Sequence, residues 1–250
     1  MDYQTALVTG ATSGIGEATA KLLASKGMKL IITGRNINKL TKLKDELKDS
    51  IVYCAPLELN NYEAMKKFYQ DIKDNNITID VFVNNAGLAL GMAPLDEYDA
   101  NDIITMIDTN IKAGALLSSL IMKDMKANNR GHIVHIGSIA GDAGYGSGAI
   151  YCATKAAVEK MAEGMRCDLV ATDVKVTNIK PGLVETNFSV VRFKGDQEKA
   201  DNVYKGLEPL IGDDVAEAVW FAINQPRRCQ ISEITLVANQ QANAFINYKK

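Results

Sequence analysis

The chain has 250 residues, of which 47% are hydrophobic and 23% charged, enough to bury a sizeable core within one large α/β domain. A formal net charge of -2 excludes a dedicated nucleic-acid surface. The start, MDYQTALVTG, lacks a basic region ahead of a long apolar core, and no apolar run approaches the ~18 residues that span a bilayer, so neither a signal peptide nor a membrane span is expected.

Short apolar runs alternate with helical patterns along the chain. TALVTG reads as a buried strand closed by a glycine, followed by a helix at about 15–26. KLIITG is the second strand. The lysine-rich KLTKLKDELKD after it mixes charge signs at helical spacing and reads as a solvated helix face within 38–48. IVYCAPL is the third strand; in NYEAMKKFYQDIKDNN, Met65, Phe68, Tyr69 and Ile72 recur at i, i+3, i+4 and i+7, one buried helical stripe. DVFVNN, a long helix over 101–127, GHIVHIGS, a helix over 150–170, KVTNIKPG, a helix over 213–223 and EITLVAN complete the series. Parallel neighbours need crossover connections, so seven strands with intervening helices predict a Rossmann-type, doubly wound α/β fold. One seven-stranded parallel sheet, covered on both faces, is expected in a single domain over 1–250. No repeat, low-complexity tract or linker marks a second domain.

TGATSGIG, Thr9 to Gly16, lies between the first strand and the first helix. Its glycines permit a tight turn and close backbone approach to a diphosphate, and the helix start offers free N–H groups with the positive end of its dipole. Eighteen residues after Gly16, the second strand ends with Gly34 and Arg35. An acid there would bind a ribose 2′-hydroxyl and select NAD; an arginine suits a 2′-phosphate, so NADP is expected.

TGATSGIG, NNAG at 84–87, Asn110, Ser138, the Y-x-x-x-K of Tyr151 and Lys155, and PGLVET at 181–186 occur in one order across the chain. In that order and spacing the sequence resembles the short-chain dehydrogenase/reductase family. The resemblance implies cofactor contacts from Gly10, Thr12, Ser13, Gly14, Ile15, Gly16, Arg35, Asn85, Ala86, Gly87, Tyr151, Lys155, Pro181, Gly182, Val184 and Thr186. It extends to Glu58 and Leu59, although the family often has Asp and a small apolar residue there. Asn84 is expected to brace strands. Within the family, NNAGLALGMAPLDE, MIDTN and VRFKGDQEKADNVYKG are similar to a group of NADP-dependent 3-hydroxy acid dehydrogenases acting on serine and allo-threonine. Members of that group are tetrameric and cytoplasmic. A homotetramer is therefore expected, assembled through the small and apolar residues of helices 101–127 and 150–170.

Reduction of a ketone needs a proton for the developing alkoxide. A tyrosine hydroxyl, ordinarily near pKa 10, is a poor base at neutral pH, and an ammonium one helical turn away favours the phenolate. Tyr151 and Lys155 share one helix face, and Ser138 at a strand end can polarise the substrate oxygen. The family resemblance gives Lys155 the nicotinamide ribose as well, and Asn110 a proton-relay water. Ser138 and Tyr151 are the expected substrate contacts, with Arg192 as carboxylate anchor on a mobile lid at about 183–210. The expected substrates are small 3-hydroxy acids or the matching 3-oxo acids and semialdehydes. A 3-oxoacyl-thioester reductase shares the catalytic group, and a non-catalytic NADP-binding regulatory protein is the alternative outside enzymes. His132 and His135 have no partners at metal-ligand spacing and read as structural, so no metal site is expected. Cys54, Cys152, Cys167 and Cys229 are scattered and read as free thiols of a reducing cytoplasm.

Overall fold

Ala6–Leu7–Val8 and Leu30–Ile31–Ile32 present apolar side chains on both faces of a strand, which is stable only where both are covered. In the computed structural model, which describes residues 3–250, they lie in β1 (Thr5–Thr9) and β2 (Lys29–Gly34) of a seven-stranded parallel sheet. The others are β3 (Ile51–Pro56), β4 (Val81–Asn84), β5 (Gly131–Ile136), β6 (Val174–Pro181) and β7 (Glu233–Leu236), in the order β3-β2-β1-β4-β5-β6-β7. The chain winds outward from β1 to β3, returns to pair β4 beside β1, and winds the other way. That reversal leaves a crevice above the carboxyl ends of β1 and β4, where open α/β sheets bind ligands.

Alternation along each strand feeds two cores. Val8 and Ile32 pack with Leu23 of α1 (Gly14–Ser25), Leu40 of α2 (Ile37–Leu47) and Val219 of α9 (Gly212–Ile223). Leu7, Ile31, Phe82 and Ile133 face the opposite layer, against the predicted Met65, Phe68, Tyr69 and Ile72 of α3 (Tyr62–Asp74). Leu117 of α5 (Ala113–Ala127) and Met165 of α6 (Ala149–Leu169) complete that side. Asn36 and Asn61 accept from the N–H of Lys39 and Ala64, capping α2 and α3 where the sequence patterns begin. In α2 only Leu40 and Leu43 are buried, so KLTKLKDELKD is the solvated face its charges predict.

Two regions differ from the sequence reading. The expected helix over 101–127 is α4 (Ala100–Ile107) joined to α5 by a π-helical turn at Asp108–Lys112. Such turns are rare single-turn insertions in α-helices and recur at functional sites; this one is tied to its neighbours by a side chain. That side chain is buried Asn110, whose Oδ1 accepts from Leu88 N–H (2.9 Å) and whose Nδ2 donates to Leu88 C=O (2.8 Å) and Thr154 Oγ1 (3.0 Å). The 183–210 segment carries two short helices, α7 (Phe188–Arg192) and α8 (Gln197–Tyr204). Its two ends are tied together: Leu210 N–H donates to Leu183 C=O at 3.0 Å, and Glu185 N–H to Leu210 C=O at 2.7 Å. Among the described residues no helix is long and apolar enough to cross a membrane.

Candidate active site

The crevice opens into a cleft of about 1120 Å³, long enough to run from Arg35 at the end of β2 to Arg192 at the end of α7. Its floor is main chain. A Cβ on Gly16 would collide with the Gly10 carbonyl oxygen, and one on Gly34 would stand 2.9 Å from Thr12 Cγ2, so neither position admits a side chain without displacing the loop. Thr9 Oγ1 accepts from the N–H groups of Asn85 and Ala86, both at 3.1 Å, and Asn85 Nδ2 donates to Thr9 C=O at 2.8 Å. These bonds lash the ends of β1 and β4 into one surface. Ser13 precedes α1 without capping it by its side chain, so the first N–H groups of the helix remain available to an anion. At the far rim Arg35 and Lys39 are exposed. The floor therefore fits a dinucleotide: side-chain-free walls and a helix start for the diphosphate, with cations where an adenosine 2′-phosphate would be read.

Three elements converge over this floor. Ser138, at the end of β5, accepts from Ala140 N–H at 3.1 Å and donates to Pro181 C=O at 3.4 Å. Tyr151 and Lys155, one turn apart at the start of α6, are both buried. Lys155 Nζ donates to Ile136 C=O at 2.9 Å and sits 5.8 Å from the centre of the Tyr151 ring; burial pulls its ammonium down to about 8. Burial pushes the Tyr151 phenol above its ordinary range, with Tyr145 adding to the rise, while a hydrogen bond to Ser138 and the Arg192 charge oppose it. Arg192 is thus a cation bearing on the phenol, from a helix remote in sequence.

Arg192 is fixed from both ends. Its carbonyl accepts from Gly91 N–H at 2.8 Å, and Nη2 donates to the Tyr145 hydroxyl at 2.9 Å. The guanidinium stands 5.3 Å from the Tyr151 ring centre. Nε is buried without a hydrogen-bond partner, and among the described residues no carboxylate pairs with Arg192; Asp196 pairs instead with Lys199 at 2.9 Å.

Most sequence-predicted residues meet in this one cleft. Gly10, Thr12, Ser13, Gly14, Ile15, Arg35, Glu58, Leu59, Asn85, Ala86, Gly87, Ser138, Tyr151, Lys155, Pro181, Gly182, Val184, Thr186 and Arg192 all line it. Gly16 and Asn110 do not. Gly16 lies beneath the Gly10 turn and serves by close packing, while Asn110 is behind the wall with its amide engaged by Leu88 and Thr154. Asn84 also stands apart, with Nδ2 3.0 Å from His135 Nδ1, bracing β4 against β5. His132 and His135 are fully buried and drawn down by desolvation to about 3 and about 4, so both rings are neutral. Among the described residues no His, Cys, Asp or Glu cluster could hold a metal ion.

Sequence reasoning missed the apolar wall: Met92, Tyr145, Phe188, Val191 and Phe245. Tyr145 carried a signal, one aromatic alone in GDAGYGSG; Phe245, far along the chain, carried none.

Residues 4–197 match the short chain dehydrogenase family, and the chain belongs to it. It is 42% identical over 242 residues to the NADP-dependent 3-hydroxy acid dehydrogenase YdfG of Escherichia coli, covering 96% of this chain and 97% of that protein. It is 38% identical over 247 residues to the serine 3-dehydrogenase of Rhizobium radiobacter, covering 98% of each. Among solved structures, the closed form of a serine dehydrogenase complexed with NADP+ superposes with a TM-score of 0.94 at 41% identity, over 99% of this chain and 100% of that one.

Proposed function

We propose that this chain is an NADP-dependent oxidoreductase that interconverts small 3-hydroxy acids with the matching 3-oxo acids or semialdehydes. The observation that carries the reading is the placement of Arg192, a guanidinium with no carboxylate partner among the described residues, 5.3 Å from the ring of the proposed proton donor, Tyr151. A 3-hydroxy acid carries its carboxylate two carbons from the carbinol, so an acid-binding cation must stand beside the proton-transfer group. The names of the relatives support the same reading.

When bound, the dinucleotide supplies the redox equivalent. The main-chain turn around Gly10, Thr12, Ser13, Gly14 and Ile15 holds its diphosphate. Arg35 reads its 2′-phosphate, with Glu58, Leu59, Asn85, Ala86 and Gly87 along the nucleotide and Pro181, Gly182, Val184 and Thr186 at the nicotinamide end. Tyr151 takes the carbinol proton in oxidation and returns it in reduction, with the single Ser138 O–H turning from Pro181 C=O to the substrate oxygen. Lys155 holds the ribose and assists proton movement. Gly16 supports the turn by packing, and Asn110 supports the site by fixing Leu88. The 183–210 segment acts as a lid that brings Arg192 over the substrate and excludes water.

Apolar Ile104 and Ile107 of α4, 56% and 41% exposed, support a homotetramer built through α4, α5 and α6. The four cysteines, all free, support a cytoplasmic location. The deciding experiment follows cofactor absorbance with NADPH and NADH across 3-oxo acids, thioesters and neutral ketones of matched length. Acids turned over most efficiently with NADPH are expected. A preference for thioesters would replace the substrate reading, and cofactor binding with no turnover of any carbonyl would refute the enzyme reading. Light scattering that finds a stable monomer at micromolar concentration would overturn the tetramer.

A further inference from the structure

An arginine side chain reaching into a cleft has many rotamers, and a carboxylate gains little from one that must be ordered on binding. In this cleft the guanidinium is already ordered, and the group that orders it comes from neither the α7 helix nor the cofactor floor. Tyr145, in the loop between β5 and α6, accepts from Arg192 Nη2 at 2.9 Å. The guanidinium carbon also stands 5.8 Å from the Tyr145 ring centre and 5.3 Å from that of Tyr151, bringing the cation close to two aromatic rings.

Tyr145 is itself held. A Cβ on Gly148 would run into its ring, so the first turn of α6 accepts the aromatic only because position 148 is glycine. Gly148 N–H donates to the Tyr145 carbonyl at 3.1 Å, and the ring meets Phe245 edge-on at 6.5 Å between centres. The same helix start presents Tyr151, so the positions of anchor and proton donor share one origin.

We propose that Tyr145 is a positioning residue for substrate specificity: it fixes the Arg192 fork so that a substrate carboxylate is gripped in one orientation relative to the carbon that reacts at Tyr151. The proposal rests on the 3-hydroxy acid reading and deepens it. Tyr145 accepts one N–H of Nη2, while among the described residues Nε has no partner and no carboxylate pairs with the cation. A hydroxyl acceptor suits this task, since a carboxylate in its place would neutralise the guanidinium and repel the acid.

Tyr145→Phe keeps the ring and its packing and removes the acceptor. The expected result is a fall of about tenfold in kcat/KM for a short 3-hydroxy acid, the scale of one hydrogen bond to a charged group. A neutral secondary alcohol of the same carbon count should lose several-fold less than the acid, and the NADPH dissociation constant should stay within about twofold. In an Arg192→Met background, Tyr145→Phe should cost the acid nothing further, because the two residues act as one unit. Equal losses for acid and neutral substrate, or losses that add in the double variant, would overturn the proposal while leaving the acid reading standing. Wild-type protein that turns over neutral alcohols but no 3-hydroxy acid would overturn both.

Discussion

At the nucleotide end of the cleft the walls are backbone: Gly10, Gly16 and Gly34 let the ends of β1, α1 and β2 close to contact, and Thr9 and Asn85 tie that surface to β4. At the substrate end they are long side chains, Met92, Tyr145, Phe188, Arg192 and Phe245, carried on loops, a five-residue helix and the C-terminal segment. The first surface is made by leaving side chains out, so an added Cβ collides with the Gly10 carbonyl at position 16 and crowds the Thr12 and Asn85 side chains at positions 34 and 10. The second is made by choosing side chains, so it can change ligand without changing fold. Shared chemistry and variable substrate choice then reside in physically different kinds of wall.

The junction between the two ends should give the largest effect. Tyr151→Phe is expected to lower turnover by roughly a hundred- to ten-thousandfold while NADPH affinity, measured by fluorescence titration, holds. Near-normal turnover would show that the proton comes from elsewhere. At the nucleotide end, Gly16→Ala forces a methyl against the Gly10 carbonyl, and overpacking of this kind costs about 1–3 kcal/mol. Its urea midpoint and NADPH affinity should both fall. Phe188→Leu at the substrate end should leave NADPH affinity unchanged and move only substrate KM; a reversed pattern would break the comparison. Arg35→Asp is the sharper probe, because it reverses the charge of one of the two long cationic side chains at the nucleotide rim. The ratio of NADPH to NADH efficiency should drop about ten- to a hundredfold. An unchanged ratio would transfer phosphate reading to Lys39.

The sheet was legible because β1, β2 and β4 are nearly continuous apolar runs and β5 and β6 carry apolar residues between polar ones, and the glycine turn and Y-x-x-x-K sit where strand gives way to helix. Only local periodicity was needed for these. The π turn at Asp108–Lys112 escaped because one extra residue barely disturbs a helical apolar pattern, and the bonds from Asn110 to Leu88 join positions 22 apart in sequence. Around the phenol, Ser138 and Arg192 oppose the rise that burial causes, and Lys155, 5.8 Å from the ring centre, also donates to Ile136 C=O. Arg192 reaches Tyr151 from 41 residues away; its charge within the 183–210 segment marks it as an anchor, but its hydrogen bond to Tyr145 depends on how that segment folds over the sheet.

His132 and His135, neutral and fully buried in β5, make the fold less stable in acid. Their folded-state pKa values lie near 3 and 4, whereas in the unfolded chain both return to about 6.5. Between those values the unfolded chain holds more protons than the folded one, so acid drives unfolding. The stability these rings contribute is complete above about pH 6.5 and drains away as pH falls, by up to ~1.4 kcal/mol per unit for each ring. Urea midpoints followed from about pH 7 to about pH 5 should therefore decline, and His132→Gln should flatten the decline. An identical slope in that variant would show that the ring does not set it. Two neutral rings within the sheet make acid act on the whole fold and not on the cleft alone.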